Sequence, residues 1–252
     1  IDSVPNGTRD DGRVWYRGMD GYNQYINVLQ ADLKALGITD YGLVYDKGSE
    51  ICTSLTWEDS MMELACYPND GYLLVNNIEK NGSAKKGTPT IFTVEGIDER
   101  YQRWTQAKDV WVTGFTNSSY RTSTIAVTVG EDGKVSAPGG EQVKKSDDMG
   151  AKGIKFMNLM EELDAEGEWY LDRETGYLYI IPPKDFGKGD ELVFNNYKAD
   201  FVHITGAQNI RLEGLRFADT LAQAVVVRNS DNVVVDACEF TNLGERALGI
   251  YT

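Results

Sequence analysis

The chain has 252 residues and a formal net charge of −14 at pH 7, and 41% of its residues are hydrophobic. Such a length accommodates one large domain or two smaller ones, each with a hydrophobic core. The acidic balance argues against nucleic acid as a partner, because binding it requires a basic surface. No apolar run approaches the roughly 20 residues of a membrane span. No signal peptide is recognisable, and the sequence starts at Ile1 rather than Met, which indicates a mature form or a fragment.

The first half of the chain predicts short strands separated by turns. Residues 1–25 are rich in Gly, Asp and Asn and predict a loop-rich segment with one short strand. Residues 28–42 predict a strand that ends in a turn, and residues 61–78 predict two strands around Pro68-Asn69-Asp70-Gly71. Pro and Gly favour that turn because they supply the φ angles it needs.

Two hairpins and little helix follow. Residues 97–115 predict a helical turn leading into a strand, and residues 158–168 predict a short helix. Residues 123–136 and 168–183 predict β hairpins, because alternating apolar residues flank a glycine-containing turn in each. Residues 26–190 are therefore predicted to form an antiparallel β domain of barrel-like or sandwich-like type.

From residue 191 to residue 252 the sequence repeats with a 23-residue period. The segment from Asn209 to Phe217 (NIRLEGLRF) has the same pattern as the segment from Asn232 to Phe240 (NVVVDACEF), and the flanking apolar pairs recur at the same spacing. In this register each apolar residue would stack on the equivalent residue of the next repeat. This pattern predicts the first coils of a right-handed parallel β-helix. Asn209 is predicted to stack on Asn232 in a buried amide ladder.

The same alternation predicts which side chains point inward and where the solenoid is open. The predicted inward residues are Ile210, Leu212, Leu215 and Phe217 in one coil and Val233, Val235, Cys238 and Phe240 in the next. The strand at residues 247–251 is predicted to present an open edge, which further coils or a partner chain would have to cover.

Five sequence segments together resemble one bacterial family. They are residues 28–42, 62–72, 100–115, 159–183 and 209–217. In this order they resemble the N-terminal third of secreted right-handed β-helix repeat proteins that are similar to glycoside hydrolases of families 120 and 141. The resemblance implies an antiparallel β island domain, an extracellular or cell-surface location and a poly- or oligosaccharide partner. It also implies that the catalytic carboxylates lie on later coils, since the family's Gly-Gly-Asp-Arg phrase does not occur here.

Within the chain, four carboxylates are candidates for catalysis. Glycoside hydrolysis needs two carboxyl groups about 5–5.5 Å or about 6.5–9.5 Å apart, depending on stereochemistry. Glu213 and Asp236 are equivalent in adjacent coils, although a solvated outer face neutralised by Arg211 and Arg216 is the simpler interpretation. Asp219 and Glu245 lie in predicted loops of the solenoid, where β-helix proteins place binding sites.

Three tryptophans are candidates for sugar binding, and no residues form a metal motif. Trp104, Trp111 and Trp169 either stack on sugar rings or belong to the core of the island domain. The single histidine, His203, is predicted to be structural. No cofactor is predicted, and a role for Ca²⁺ is left open.

The cysteines do not form a disulfide framework. Cys52 and Cys66 lie fourteen residues apart, and Cys238 is distant in the sequence. A bond between Cys52 and Cys66 and a pair of buried thiols both remain open.

Three functions are compatible with these observations. The first is the non-catalytic N-terminal part of a secreted glycoside hydrolase, which by itself is expected to be inactive. The second is a non-catalytic surface or carbohydrate-binding β-helix module. The third, a polysaccharide lyase or epimerase, is disfavoured because the acidic chain lacks a Lys/Arg cluster for an acidic polymer.

Overall fold

The chain is almost entirely β in a computed structural model that describes residues 14–17, 23–26, 28–45 and 53–252. It forms two compact units. One comprises Ile1–Leu36 and Glu63–Asp185, and the other comprises Gly37–Met62 and Phe186–Thr252. The predicted fold class, antiparallel β followed by β-helix coils, is confirmed. No helix in the described part of the chain is long and apolar enough to cross a membrane.

The first unit is built around a seven-stranded antiparallel sheet. Its strands, in spatial order, are β7 (Cys66–Tyr67), β13 (Ile154–Met157), β10 (Val110–Gly114), β11 (Ser123–Val129), β12 (Val135–Ala137), β9 (Thr90–Val94) and β8 (Val75–Lys80). Alternate residues of β9 and β10 are buried, as expected for a sheet with one face on the core. Fully buried Phe92, Val112, Phe156 and Trp104 fill that core.

The predicted hairpin at residues 123–136 is confirmed as the β11–β12 pair. Gly133 adopts a φ of 74° in its turn. The two strands predicted around Pro68–Gly71 are present, but β7 pairs with β13 and β8 with β9, so they do not pair with each other.

A smaller sheet completes the first unit. Its order is β3 (Leu29–Asp32), β15 (Tyr177–Ile180), β14 (Glu168–Asp172) and β6 (Glu63–Leu64). The predicted hairpin at residues 168–183 is confirmed as the β14–β15 pair. β1 (Val14–Arg17) and β2 (Asn23–Ile26) form a separate antiparallel pair, so the described part of this region holds a second strand that the sequence did not predict.

Among the described residues, helix is limited to single turns. An α-helical turn, α1, spans Tyr101–Trp104, and 3₁₀ turns span Ala84–Lys86, Asp98–Arg100, Asp147–Met149 and Met160–Glu162. The helix predicted over residues 158–168 is therefore only one 3₁₀ turn. It is bounded by left-handed Asn158 (φ 61°) and Gly167 (φ 84°), and β14 begins at Glu168.

The second unit combines an antiparallel sheet with β-helix coils. The antiparallel sheet has the order β16 (Leu192–Asn195), β4 (Ser54–Trp57) and β5 (Ser60–Met61). The first coil contains β17 (Val202–Thr205), β18 (Gln208–Glu213) and β19 (Arg216–Thr220). The next contains β20 (Val225–Arg228), β21 (Asp231–Asp236) and β22 (Glu239–Leu243), after which β23 (Leu248–Tyr251) follows.

The 23-residue register is confirmed in three parallel sheets, β17-β20-β23, β18-β21 and β19-β22. Val202 pairs with Val225 and Val225 with Leu248, so each coil advances by the same number of residues. Left-handed backbone recurs at the same spacing. The four pairs are Gly206/Asn229, Asn209/Asn232, Gly214/Ala237 and Asp219/Asn242. Corners at Gly214 and Ala237 divide each segment that the sequence predicted as one strand into two.

The Asn ladder is present, but it is not buried. Asn232 Nδ2 donates to Asn209 Oδ1 over 2.6 Å, and both residues are exposed at a corner.

Phe217 (8% exposed) stacks on Phe240 with ring centroids 5.2 Å apart, as the inward assignment requires. Leu215 is 44% exposed and is not inward, because it follows the corner at Gly214, where the alternation is interrupted.

The last strand forms an open edge, as predicted. β23 is the edge of its sheet, and Ile250 is 70% exposed, whereas its neighbour Val227 in the coil above is 6% exposed. Val233 and Cys238 pack against the solenoid core but, like Val235, are only half-buried. The expectation that they are buried is wrong, and the equivalent Ile210 and Leu212 of the covered coil are half-buried as well.

Candidate functional site

The repeat places several predicted catalytic candidates on the outer face of the solenoid. Glu213 and Asp236 are register partners of β18 and β21. Arg211 Nε donates to Glu213 Oε2 over 2.7 Å, and its guanidinium also hydrogen-bonds Asp236. All three side chains are about half exposed. The two carboxylates therefore come together, but they share one arginine in a surface ion pair of small energetic value.

Asp219 lies at a second corner of the coil, opposite a hairpin of the same unit. Its φ is 59°, and Thr56 Oγ1 of β4 lies 3.4 Å from its Oδ1. Asn242, one coil further, donates from Nδ2 to the backbone oxygen of Asp59 over 3.0 Å. The turn between β4 and β5 thus closes over this face. It is left-handed at Glu58 (φ 45°) and Asp59 (φ 65°).

Arg216 links the same turn to both coils. Its guanidinium forms ion pairs with Asp59 and, over 3.4 Å, with Glu239 Oε1. These neighbouring carboxylates raise the pKa of Arg216 above its ordinary value. We call Thr56, Asp59, Arg216, Asp219, Glu239 and Asn242 the corner cluster. Asp59 and Thr56 do not appear among the predicted residues, since they come from a segment far away in the sequence.

Glu245 is not part of the corner cluster. It is exposed, its backbone N–H donates to Ala222 O over 3.3 Å, and its carboxylate makes no hydrogen bond or ion pair within the described residues. The catalytic roles of Glu213, Asp219, Asp236 and Glu245 stay predictions.

Two of the three predicted sugar-binding tryptophans are core residues. Trp104 and Trp169 are each 1% exposed, so neither ring offers a face to a sugar, and the core alternative describes them. Trp104 Nε1 donates to Glu162 Oε1 over 2.7 Å. Trp111 is half-buried on β10, and its Nε1 donates to Asp109 Oδ1 over 2.7 Å. Only Trp111 remains a predicted sugar-binding residue.

The first unit buries carboxylates that the sequence pattern did not single out. Glu162 is 1% exposed and forms ion pairs with Arg100 and Arg103. Burial raises the pKa of Glu162, and the two guanidinium groups oppose that rise. The sequence signal was misleading, because adjacent Glu161 and Glu162 in a short helical pattern are typical of a solvated face.

Glu168 is buried at the start of β14. Its Oε2 accepts the backbone N–H groups of Asp164 and Ala165, each over 2.9 Å. Burial is the largest influence and raises the pKa of Glu168 to about 7. Glu161 is partly buried nearby, and burial raises its pKa to about 7 as well. Both carboxyls can therefore carry a proton close to neutral pH.

Cys66 is a buried free thiol beside these carboxylates. Its Sγ lies 3.5 Å from Glu63 Oε1 and 3.8 Å from Glu168 Oε1. Burial first, and then the charges of the two glutamates, raise the pKa of the Cys66 thiol, which keeps it protonated and unreactive. Cys52 lies outside the described residues.

The described residues hold no group of three or more His, Cys, Asp or Glu side chains that is able to bind a metal ion. His203 is exposed, and its Nε2 lies 2.9 Å from Oδ2 of the partly buried Asp200, which agrees with a structural histidine.

Comparison with known proteins supports the fold. No family model and no curated protein matches the chain. A solved structure described as a glycoside hydrolase is similar with a TM-score of 0.59 and 12% sequence identity, over 94% of this chain and 48% of that chain. The chain thus spans about half the length of the structure it matches. At this identity, the similarity establishes a shared β fold.

Proposed function

We propose that the chain is the N-terminal part of a secreted, bacterial, carbohydrate-active β-helix enzyme, of the glycoside hydrolase kind. The observation that carries the proposal is the fold similarity to a glycoside hydrolase over 94% of the chain. The five sequence segments that resemble families 120 and 141 support it independently. The substrate class is a poly- or oligosaccharide, and the location is extracellular or at the cell surface.

The solenoid edge supports a role within a longer β-helix. Leu248 and Ile250 are 36% and 70% exposed, whereas the equivalent Val225 and Val227 are 0% and 6% exposed beneath the next strand. An uncovered apolar strand edge favours pairing with a further strand. Additional coils of the same protein are the occupant we propose for it.

The carboxylates of the first coils support a catalytic pair located elsewhere. Hydrolysis requires one carboxyl group that keeps a proton and one that is ionised. Glu213 and Asp236 instead share Arg211 at a solvent-exposed face, where both side chains are about half exposed. We therefore place the catalytic acid and its partner on later coils.

The test uses the protein encoded by the complete gene. We expect it to release sugars from arylglycosides or from plant or host polysaccharides, and we expect the Asp219→Asn and Glu245→Gln variants to retain that activity. Binding without hydrolysis would contradict the enzyme proposal and favour a carbohydrate-binding module. Loss of hydrolysis in a folded Asp219→Asn variant would contradict the placement of the catalytic carboxylates.

A further inference from the structure

An open groove of about 460 Å³ lies on the first unit. It is lined by the end of β9 and the following residues (Thr93–Ile97), by Tyr101 of α1, and by Asp132 and Gly133 in the β11–β12 turn. Three separate segments of one compact unit therefore converge on it.

Backbone and side-chain hydrogen bonds fix the walls of the groove. Tyr67 Oη donates to Gly96 O over 3.1 Å, and Glu95 N donates to Leu74 O over 2.9 Å. On the opposite side, Gly133 N donates to Gly130 O over 3.0 Å. The positions of Glu95, Gly96 and Gly133 are thus set before any ligand arrives, which lowers the entropic cost of binding.

Tyr101 is held from two directions. The residues before and after it in the helical segment, Arg100, Arg103 and Trp104, all contact the buried carboxylate of Glu162. On its other side, a Cβ added to Gly133 would stand 3.2 Å from Tyr101 Cδ1 and Cε1. Glycine at this left-handed position (φ 74°) therefore allows the turn to lie against the ring.

The polar groups around this ring carry negative charge. Glu95 and Asp132 are exposed at the rim, and Lys134 pairs with Asp132 over 3.0 Å and with Glu79 over 3.3 Å. The hydrogen bonds from Lys134 lower the pKa of Asp132, so that this carboxylate stays ionised. Carboxylates accept strong hydrogen bonds from hydroxyl groups, and an aromatic ring packs against an apolar C–H face.

We propose that this groove is a binding subsite for a neutral oligosaccharide. The sugar packs its C–H face on Tyr101, and its hydroxyl groups donate to Glu95 and Asp132. The carboxylate of Glu95 at the rim disfavours anionic sugars by charge repulsion. This inference rests on the proposed function, which it deepens by naming a neutral substrate class and a site outside the solenoid.

The test is an NMR titration of the chain with three probes: cellotetraose, xylotetraose and the anionic trigalacturonate. We expect a neutral probe to shift the backbone amides of Gly96, Tyr101 and Gly133, and trigalacturonate to shift none of them. Tyr101→Ala should weaken binding by about tenfold, which corresponds to about 1.4 kcal/mol. Tyr120→Ala, at a tyrosine that is 89% exposed in the same unit, should leave binding unchanged.

A second pair of variants keeps the test independent of the stability of α1. Glu95→Gln should weaken binding several-fold, whereas Glu99→Gln, at an exposed glutamate nearby, should not. The proposal is overturned if neither neutral probe shifts the groove amides, if trigalacturonate binds there more tightly, or if Glu95→Gln and Tyr101→Ala both bind normally.

Hydrolysis by the complete gene product is a separate readout. Activity without groove binding overturns only the subsite, and groove binding without activity overturns only the hydrolase proposal.

Discussion

The buried carboxyl of Glu168 predicts that the stability of the first unit depends on pH in a defined window. Its pKa is about 7 in the folded chain, against an ordinary value of 4.5. Between these two values the folded state binds more protons than the unfolded state, so the free energy of unfolding falls as the pH rises. At about 1.36 kcal/mol for each pH unit, Glu168 contributes a loss of about 3 kcal/mol across the window.

The perturbation that isolates this contribution is Glu168→Gln. The glutamine oxygen can still accept the two N–H groups of Asp164 and Ala165, but the side chain does not titrate. Relative to the wild type, the variant should gain up to about 3 kcal/mol of stability between pH 4.5 and pH 7 and show a constant difference above pH 7. Below pH 4.5 the two proteins should be similar in stability.

Urea unfolding followed by tryptophan fluorescence measures this difference at each pH, because Trp104 and Trp169 are buried in the same unit. Carbon-13 NMR of the glutamate carboxyls measures the folded-state pKa directly. The reasoning is refuted if the stability difference does not change with pH, or if the Glu168 carboxyl titrates near its ordinary value. Glu161 titrates in the same window, and it stays present in both proteins, so it cancels in the comparison.

Three further predictions concern named contacts. Glu162→Gln should destabilise the first unit by about 3–5 kcal/mol in urea unfolding, because it leaves two partly buried guanidinium groups without their anion. Asn232→Ala should cost about 1–2 kcal/mol, through the lost hydrogen bond to Asn209 and the left-handed φ of 51°. Asn232→Gly, which tolerates that φ, should cost less, and an equal cost would contradict the backbone contribution. In the 252-residue chain, Ile250→Lys should change the free energy of unfolding by less than about 0.5 kcal/mol, because this side chain is 70% exposed; a larger loss would contradict the open edge.

The sequence predicted what depends on local pattern. The 23-residue register from Asn209 to Asn232, the β14–β15 hairpin and the open edge at β23 are all consequences of alternation, turn residues or repetition, which can be read along the chain. The wrong orientation of Leu215 arose where a left-handed residue interrupts that alternation.

The remaining features depend on segments that meet only after folding. Asp59 and Arg216 are 157 residues apart in the chain, and Glu162 meets Arg103 across 59 residues. When a carboxylate is buried by such a distant partner, the residues next to it in the sequence do not distinguish it from a solvated carboxylate. Without knowledge of the partner, the corner cluster and the buried glutamates of the first unit could not be predicted.

The repeated left-handed corners also determine which changes of chain length the solenoid tolerates. Gly206, Asn209, Gly214 and Asp219 each have a counterpart 23 residues later. Duplicating or deleting a whole period preserves the spacing between all four corners, so the strands above and below still meet in register. An insertion of any other length between two corners moves every later inward side chain out of line with the coil above. Variation in the number of coils should therefore occur in whole periods, and extra residues should collect at the corners themselves.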